Sequence, residues 1–299
     1  MPFLPLKRVN LHYEHQANGE IPIILLHGNF GSWHYWQPFL QNLPEGYQGY
    51  APDFRGCGDS EVTEGGYDIQ TISRDILEFA DQLKLDKFHL VGHSLGGAVA
   101  QELAGTAPER VLTLTLVAPV PAEGLLSLKN VSLSDSFFSA KNTFNFLDTL
   151  GLKRKLLATT FQKSMPGLKN NQGFLNLVVD DALKMDIKAF DGFLATLKNW
   201  KGTHLLPYFK FPVLIIYGEL DNIVPLQPLK AMQQEIQDCR FHTFRRIGHS
   251  PQLEHPNAFN KLITAFILGN EVEPVTDSTL KKPLDLMSQI KTKLKRLFK

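Results

Sequence analysis

The chain has 299 residues, 43% hydrophobic and 20% charged, with a formal net charge of +1. That suits a core of ordinary proportions in one large α/β domain with an insertion, or in two small domains. The near-zero charge gives no overall field to attract nucleic acid, and no apolar run approaches the roughly 18 residues of a membrane-spanning helix.

The opening MPFLPLKRVN lacks the charged and then apolar regions of a secretory signal. A cytoplasmic protein is therefore expected, with Cys57 and Cys239 as reduced thiols. KRVNLHYEH (7–15) alternates in polarity and reads as an antiparallel edge strand. Its His12 and His15 would point to opposite faces, which argues against a shared metal ion. IPIILLH (21–27) is short, apolar and bounded by turn residues, as a strand buried on both faces reads. The loop it opens, LLHGNFGSW (25–33), holds His27, which reads as a residue that fixes the loop. YQGYAPD (47–53) is a weaker strand, followed by DFRGCGDS (53–60) and an amphipathic helix near 68–84.

KFHLVG (87–92) is another buried strand, and a helix near 95–107 follows it. Between them lies G-H-S-L-G, with Ser94 at its centre. A G-x-S-x-G segment between a strand and a helix is the setting of a nucleophile elbow, where a tight turn lifts the serine hydroxyl clear of the sheet. Taken alone, the pentapeptide also fits a glycine-rich turn with a capping serine. His93 reads as a packing neighbour.

VLTLTLVA (111–118) is the next buried strand. The strand–helix alternation then stops between about 121 and 207, a stretch with eight phenylalanines and helical spacing in FLNLVVDDALKMDIKAFDGFLATL. A mainly helical insertion is expected there. FPVLIIYG (211–218) resumes the sheet, RFHTFR (240–245) is a weaker strand, and helices are expected near 226–236 and 256–268. Strands alternating with helices imply a mostly parallel sheet.

A serine alcohol needs a base to take its proton and a third group to orient that base. Asp221 lies just after FPVLIIYG and His249 lies in the loop after RFHTFR, so the chain order is Ser94, Asp221, His249. Loops at the carboxyl edge of one parallel sheet can converge. Glu219 is a competing acid, and His255 reads as the start of the last helix. Acyl transfer also needs oxyanion donors. The N–H of Leu95 is one candidate; the N–H of Asn29 or of Phe30 is the other.

HGNFGSW, DFRGCGDS, GHSLGG, GELDNIVP and GHSPQLEHP, in this order, resemble the α/β-hydrolase superfamily over residues 1–120 and 208–269. The resemblance implies an eight-stranded sheet flanked by helices, a cap over 121–207 after the sixth strand, and no cofactor. It also implies that Asp53 and Arg55 fix loop geometry. Dehalogenases and epoxide hydrolases of this fold carry aspartate where Ser94 stands. Serine fits esterases, lipases, thioesterases, lactonases, perhydrolases and carbon–carbon bond hydrolases, and the triad does not choose among them. The apolar insertion favours a carboxylic ester with an apolar acyl or alcohol part. No arginine cluster near the motifs would grip a dicarboxylate. A carbon–carbon bond hydrolase, a thioesterase, a lactonase and a ligand-binding receptor with a slow triad remain as alternatives.

Residues 270–299 read as a polar linker and a basic amphipathic tail. From Lys281 onward, seven Lys/Arg oppose one Asp, so that segment carries +6 and the remainder −5. The tail fits an anionic membrane surface or a helix packed on its own domain. If it binds membrane, deletion of residues 280–299 abolishes salt-sensitive binding to anionic vesicles in a sedimentation assay and leaves turnover of soluble substrates unchanged.

Overall fold

β5 (Phe88–His93) and β7 (Val213–Gly218) are buried along their whole length, which is why their sequences are continuous apolar runs rather than alternating ones. The computed structural model describes residues 2–125 and 152–271. Its other strands are β1 (Phe3–Pro5), β2 (Asn10–Ala17), β3 (Gly19–Leu26), β4 (Gly46–Pro52), β6 (Val111–Val117) and β8 (Cys239–Phe244). They form one eight-stranded sheet in the order β1-β2-β4-β3-β5-β6-β7-β8. β1 and β2 are antiparallel to their neighbours, and all later pairings are parallel.

Successive side chains serve opposite faces. Ile24, Leu26, Leu90 and Leu116 join the core beneath α2 (Ile69–Gln82) and α3 (Leu95–Thr106). Ile23, Leu25, Val91 and Val117 pack with Trp36, Phe39 and Phe259 on the other side. The expected helices near 226–236 and 256–268 are present as Leu226–Glu235 and Pro256–Ile267. Among the short elements that were not expected, β1 has three residues, and the turn Trp33–Trp36 and α1 (Gln37–Leu40) have four each, so none of them is long enough to display a period.

The chain winds from β3 to β4 on one side, then crosses to β5 on the other side of β3. That reversal opens a crevice at the carboxyl ends of β3 and β5, where open α/β sheets bind ligands. The HGN loop and Ser94 both emerge there.

Between β6 and β7 the described chain is helical, as expected: α4 (Lys153–Ser164), α5 (Gln172–Lys184) and α6 (Ile187–Asn199). Asn171 and Asp186 cap the last two by accepting the N–H of Phe174 at 3.2 Å and of Lys188 at 2.7 Å. Of the expected aromatic residues, Phe193 is fully buried in the core and Phe190 is half-buried. Those at 137–146, and the basic tail, lie outside the described residues. No helix among the described residues is long and apolar enough to cross a membrane.

Arg55 behaves as expected of a residue that fixes loops. It forms a buried fork onto Asp75 of α2, at 2.6–2.8 Å, and donates to the Gly65 carbonyl at 2.9 Å. Removing one partner of a buried pair leaves the other charge uncompensated and costs about 3–5 kcal/mol. Arg55→Met is thus expected to lower the unfolding free energy by that amount, read as a lower urea midpoint at an unchanged m-value.

Candidate active site

Ser94 is the only residue between the end of β5 and the start of α3, and it sits at φ 51°, ψ −112°. For a non-glycine residue this is strained backbone, held only where the surroundings over-determine it. Here the Ser94 N–H donates to Val117 at 3.0 Å, and its carbonyl accepts from Gly97 and Val120 at 3.0 and 3.1 Å. The flanking glycines explain themselves by contact. A Cβ on Gly92 would strike the Gly96 carbonyl, and one on Gly96 would strike the carbonyls of Leu26 and His27. The side chain of Ser94 is thereby left partly open while its neighbours are buried. Leu95 opens α3, so its N–H has no acceptor within the helix.

The loop after β3 lies against this turn. A Cβ on Gly28 would come within 2.7 Å of His93 Nδ1 and 3.1 Å of Ser94 Cβ. His27 holds the loop: its Nδ1–H donates to the Gly28 carbonyl at 2.8 Å, and its Nε2 accepts the Phe54 N–H at 2.9 Å. Both bonds need the neutral ring, and burial lowers its pKa. Of the two residues expected to supply the second oxyanion donor, Phe30 is already engaged. Its N–H donates to Asn29 Oδ1 at 3.0 Å, with Phe30 at φ 62°. The Asn29 N–H has no acceptor among the described residues.

Asp221 and His249 are brought together. Asp221 Oδ2 accepts from His249 Nδ1 at 2.8 Å, and Oδ1 accepts the N–H groups of Ile223 and Val224 at 2.8 and 3.0 Å. The carboxylate is fully sealed from solvent. With Nδ1–H committed to Asp221, the lone pair of a neutral His249 sits on Nε2. Glu219 is exposed and accepts the Arg246 N–H at 2.9 Å, so it is turned to a different loop. His255 stands at the N-cap of the last helix, as expected.

His93 packs beside the base, with ring centroids 4.9 Å apart, and its Nε2–H donates to the His249 carbonyl at 3.0 Å. Burial, and then the proximity of His249, push its pKa well below the ordinary value. A neutral His93 therefore adds no competing charge. Asp53 is likewise occupied structurally: it accepts the N–H groups of Trp33 at 2.7 Å and Asp59 at 3.1 Å and pairs with His12 at 2.7 Å.

Two residues here were missed. Asp181 reaches from α5 to accept from Ser32 Oγ at 2.6 Å and His34 Nδ1 at 3.0 Å, fastening the helical segment to the loop after β3. In VVDDALK it looks like half of a solvated acidic pair, and only Asp180 is exposed. Glu254, in the quoted GHSPQLEHP segment, accepts N–H groups on both sides of His249. Beside Phe30 lies a cavity of about 90 Å³ lined by Phe30, Leu157, Met185, Ile187, Phe190 and one cation, Lys153. Among the described residues no group of three or more His, Cys, Asp or Glu is placed to hold a metal ion.

Comparisons agree with this fold. A 2-hydroxy-6-oxononadienedioate/2-hydroxy-6-oxononatrienedioate hydrolase from Pseudomonas putida is 25% identical over 276 residues, spanning 87% of this chain and 92% of that protein. An enol-lactonase from Burkholderia xenovorans superposes with a TM-score of 0.76 at 21% identity, over 89% of this chain and all of that one. An esterase from Exiguobacterium antarcticum has the same TM-score at 20% identity, over 87% and 96%. The profile of the α/β hydrolase fold matches residues 21–256, and the chain belongs to that family.

Proposed function

We propose that the protein is a serine hydrolase whose nucleophile is Ser94, whose base is His249 and whose orienting acid is Asp221. The observation that carries this reading is that one sheet edge bears both a strained, partly open serine, directly after β5, and a histidine whose Nδ1 is bonded at 2.8 Å to a sealed carboxylate. In the proposed cycle His249 Nε2 takes the Ser94 proton as Oγ adds to an acyl carbon. The N–H groups of Leu95 and Asn29 receive the oxyanion. Collapse expels the leaving group, which takes the proton from imidazolium His249. Water, deprotonated by the same nitrogen, then releases the acyl group as an acid. The helical segment between β6 and β7 acts as a cap: Asp181 anchors it, and the rings of Phe161 and Phe190 lie 6.4 and 5.3 Å from that of Phe30.

The sequence favoured a simple carboxylic ester, but the relatives support the alternative better: cleavage of a carbon–carbon bond in a vinylogous keto acid, or of a lactone. In the carbon–carbon case the leaving group is a carbon whose electron pair is delocalised into a second, conjugated carbonyl, so the same triad serves. The basic residue that this substrate class calls for, and that the motifs did not supply, has a candidate in Lys153 at the cavity beside Phe30.

The test is a substrate panel of 2-hydroxy-6-oxo-dienoates, enol lactones and chromogenic esters on the wild-type protein and Ser94→Ala. Expected are dienoate or lactone turnover well above that of esters, and a kcat loss of up to about 10⁶-fold in the variant. Retained turnover in Ser94→Ala overturns the reading. The oxyanion site has its own test. Gly28→Ala sets a Cβ against His93 Nδ1 and Ser94 Cβ and so shifts the loop that carries Asn29, and kcat is expected to fall on the order of 10²-fold with little change in KM.

A further inference from the structure

We propose that Glu254 is a positioning residue for His249: one carboxylate clamps the loop that carries the base and the turn that follows α4. The proposal rests on the reading of His249 as the general base. Glu254 closes the short helix Pro251–Glu254, and its side chain curls back over the loop. Oε2 accepts the N–H of Gly248 at 3.0 Å and of Gly167 at 2.9 Å, while Oε1 accepts the N–H of Ser250 at 3.1 Å. The residues immediately before and after His249 are thus held by one group. That group also holds a residue of the segment between β6 and β7.

Every partner of this carboxylate is a donor. Burial raises its pKa, and the three N–H bonds act against that by favouring the charged acceptor. The packing leaves it no slack. A Cβ on Gly167 would meet Glu254 Cβ at 2.8 Å, and one on Gly248 would meet Pro166 Cδ at 2.6 Å. The coupling runs both ways, because the His249 N–H itself donates to the Ser164 carbonyl, at the end of α4, at 2.8 Å. Position of the base and seating of the helical segment therefore depend on one side chain.

The experiment uses the full chain and two readouts. One is steady-state turnover of a 2-hydroxy-6-oxo-dienoate resolved into kcat and KM; the other is the rate at which a fluorophosphonate labels Ser94. Glu254→Gln keeps an acceptor but sets an NH₂ against an N–H. It is expected to lower kcat and to slow labelling about tenfold or more, with KM within about twofold of wild type. Glu254→Asp keeps two acceptor oxygens but is shorter, so it should recover part of the loss in both readouts. A folded Glu254→Gln with kcat and labelling both within about twofold of wild type overturns the proposal. If that variant does not fold, Glu254→Asp decides, and kcat and labelling within about twofold of wild type overturn it. Absence of labelling with turnover retained in the wild type counts against Ser94 as nucleophile, and the kcat of the variants still judges Glu254.

Discussion

The site depends on the bond between His249 Nδ1 and Asp221 Oδ2. At 2.8 Å, with the carboxylate closed to water, it fixes both the orientation of the ring and its tautomer. A buried carboxylate is costly unless its lone pairs are filled. Asp221 is filled by the ring and by the N–H groups of Ile223 and Val224, so its charge is held without a cation beside it. That leaves the stabilisation of its charge available to an imidazolium when one forms. A salt-bridged aspartate in the same place would have had that capacity already used.

The sheet brings this pair to the serine. Winding reverses at β3, so the loops after β3 and β5 leave the same edge side by side, and the loops after β7 and β8 reach the same edge from further along the sheet. Close approach is then a matter of removing side chains. Gly28 lets its loop lie against His93 and Ser94, while Gly92 and Gly96 let α3 start directly over β5. The strain at Ser94 is held by main-chain bonds to the end of β6 and just beyond, so the orientation of this serine is a property of the sheet and the turns that leave it.

The parallel strands, and the approach of His249 to Asp221, were legible because each carries a local signature. β3, β5, β6 and β7 are continuous apolar runs, and Ser94, Asp221 and His249 each follow one strand by a few residues. What was illegible is what depends on partners distant in sequence. Nothing local distinguishes buried Asp181 from exposed Asp180, since the difference is made by Ser32 and His34 in a loop far upstream. Glu254 was visible as a letter in a motif, but its three donors come from two separate segments. That the Phe30 N–H is already engaged was equally hidden, because it turns on one side-chain rotamer, the Asn29 oxygen that takes it.

The measurement that bears most directly on this account is mass spectrometry of peptides from enzyme acid-quenched during turnover of a 2-hydroxy-6-oxo-dienoate. The account predicts an added mass equal to the acyl fragment, located on the peptide that contains Ser94 and lost on further incubation with water. Steady turnover with the adduct on another residue, or with none at any quench time, would contradict it.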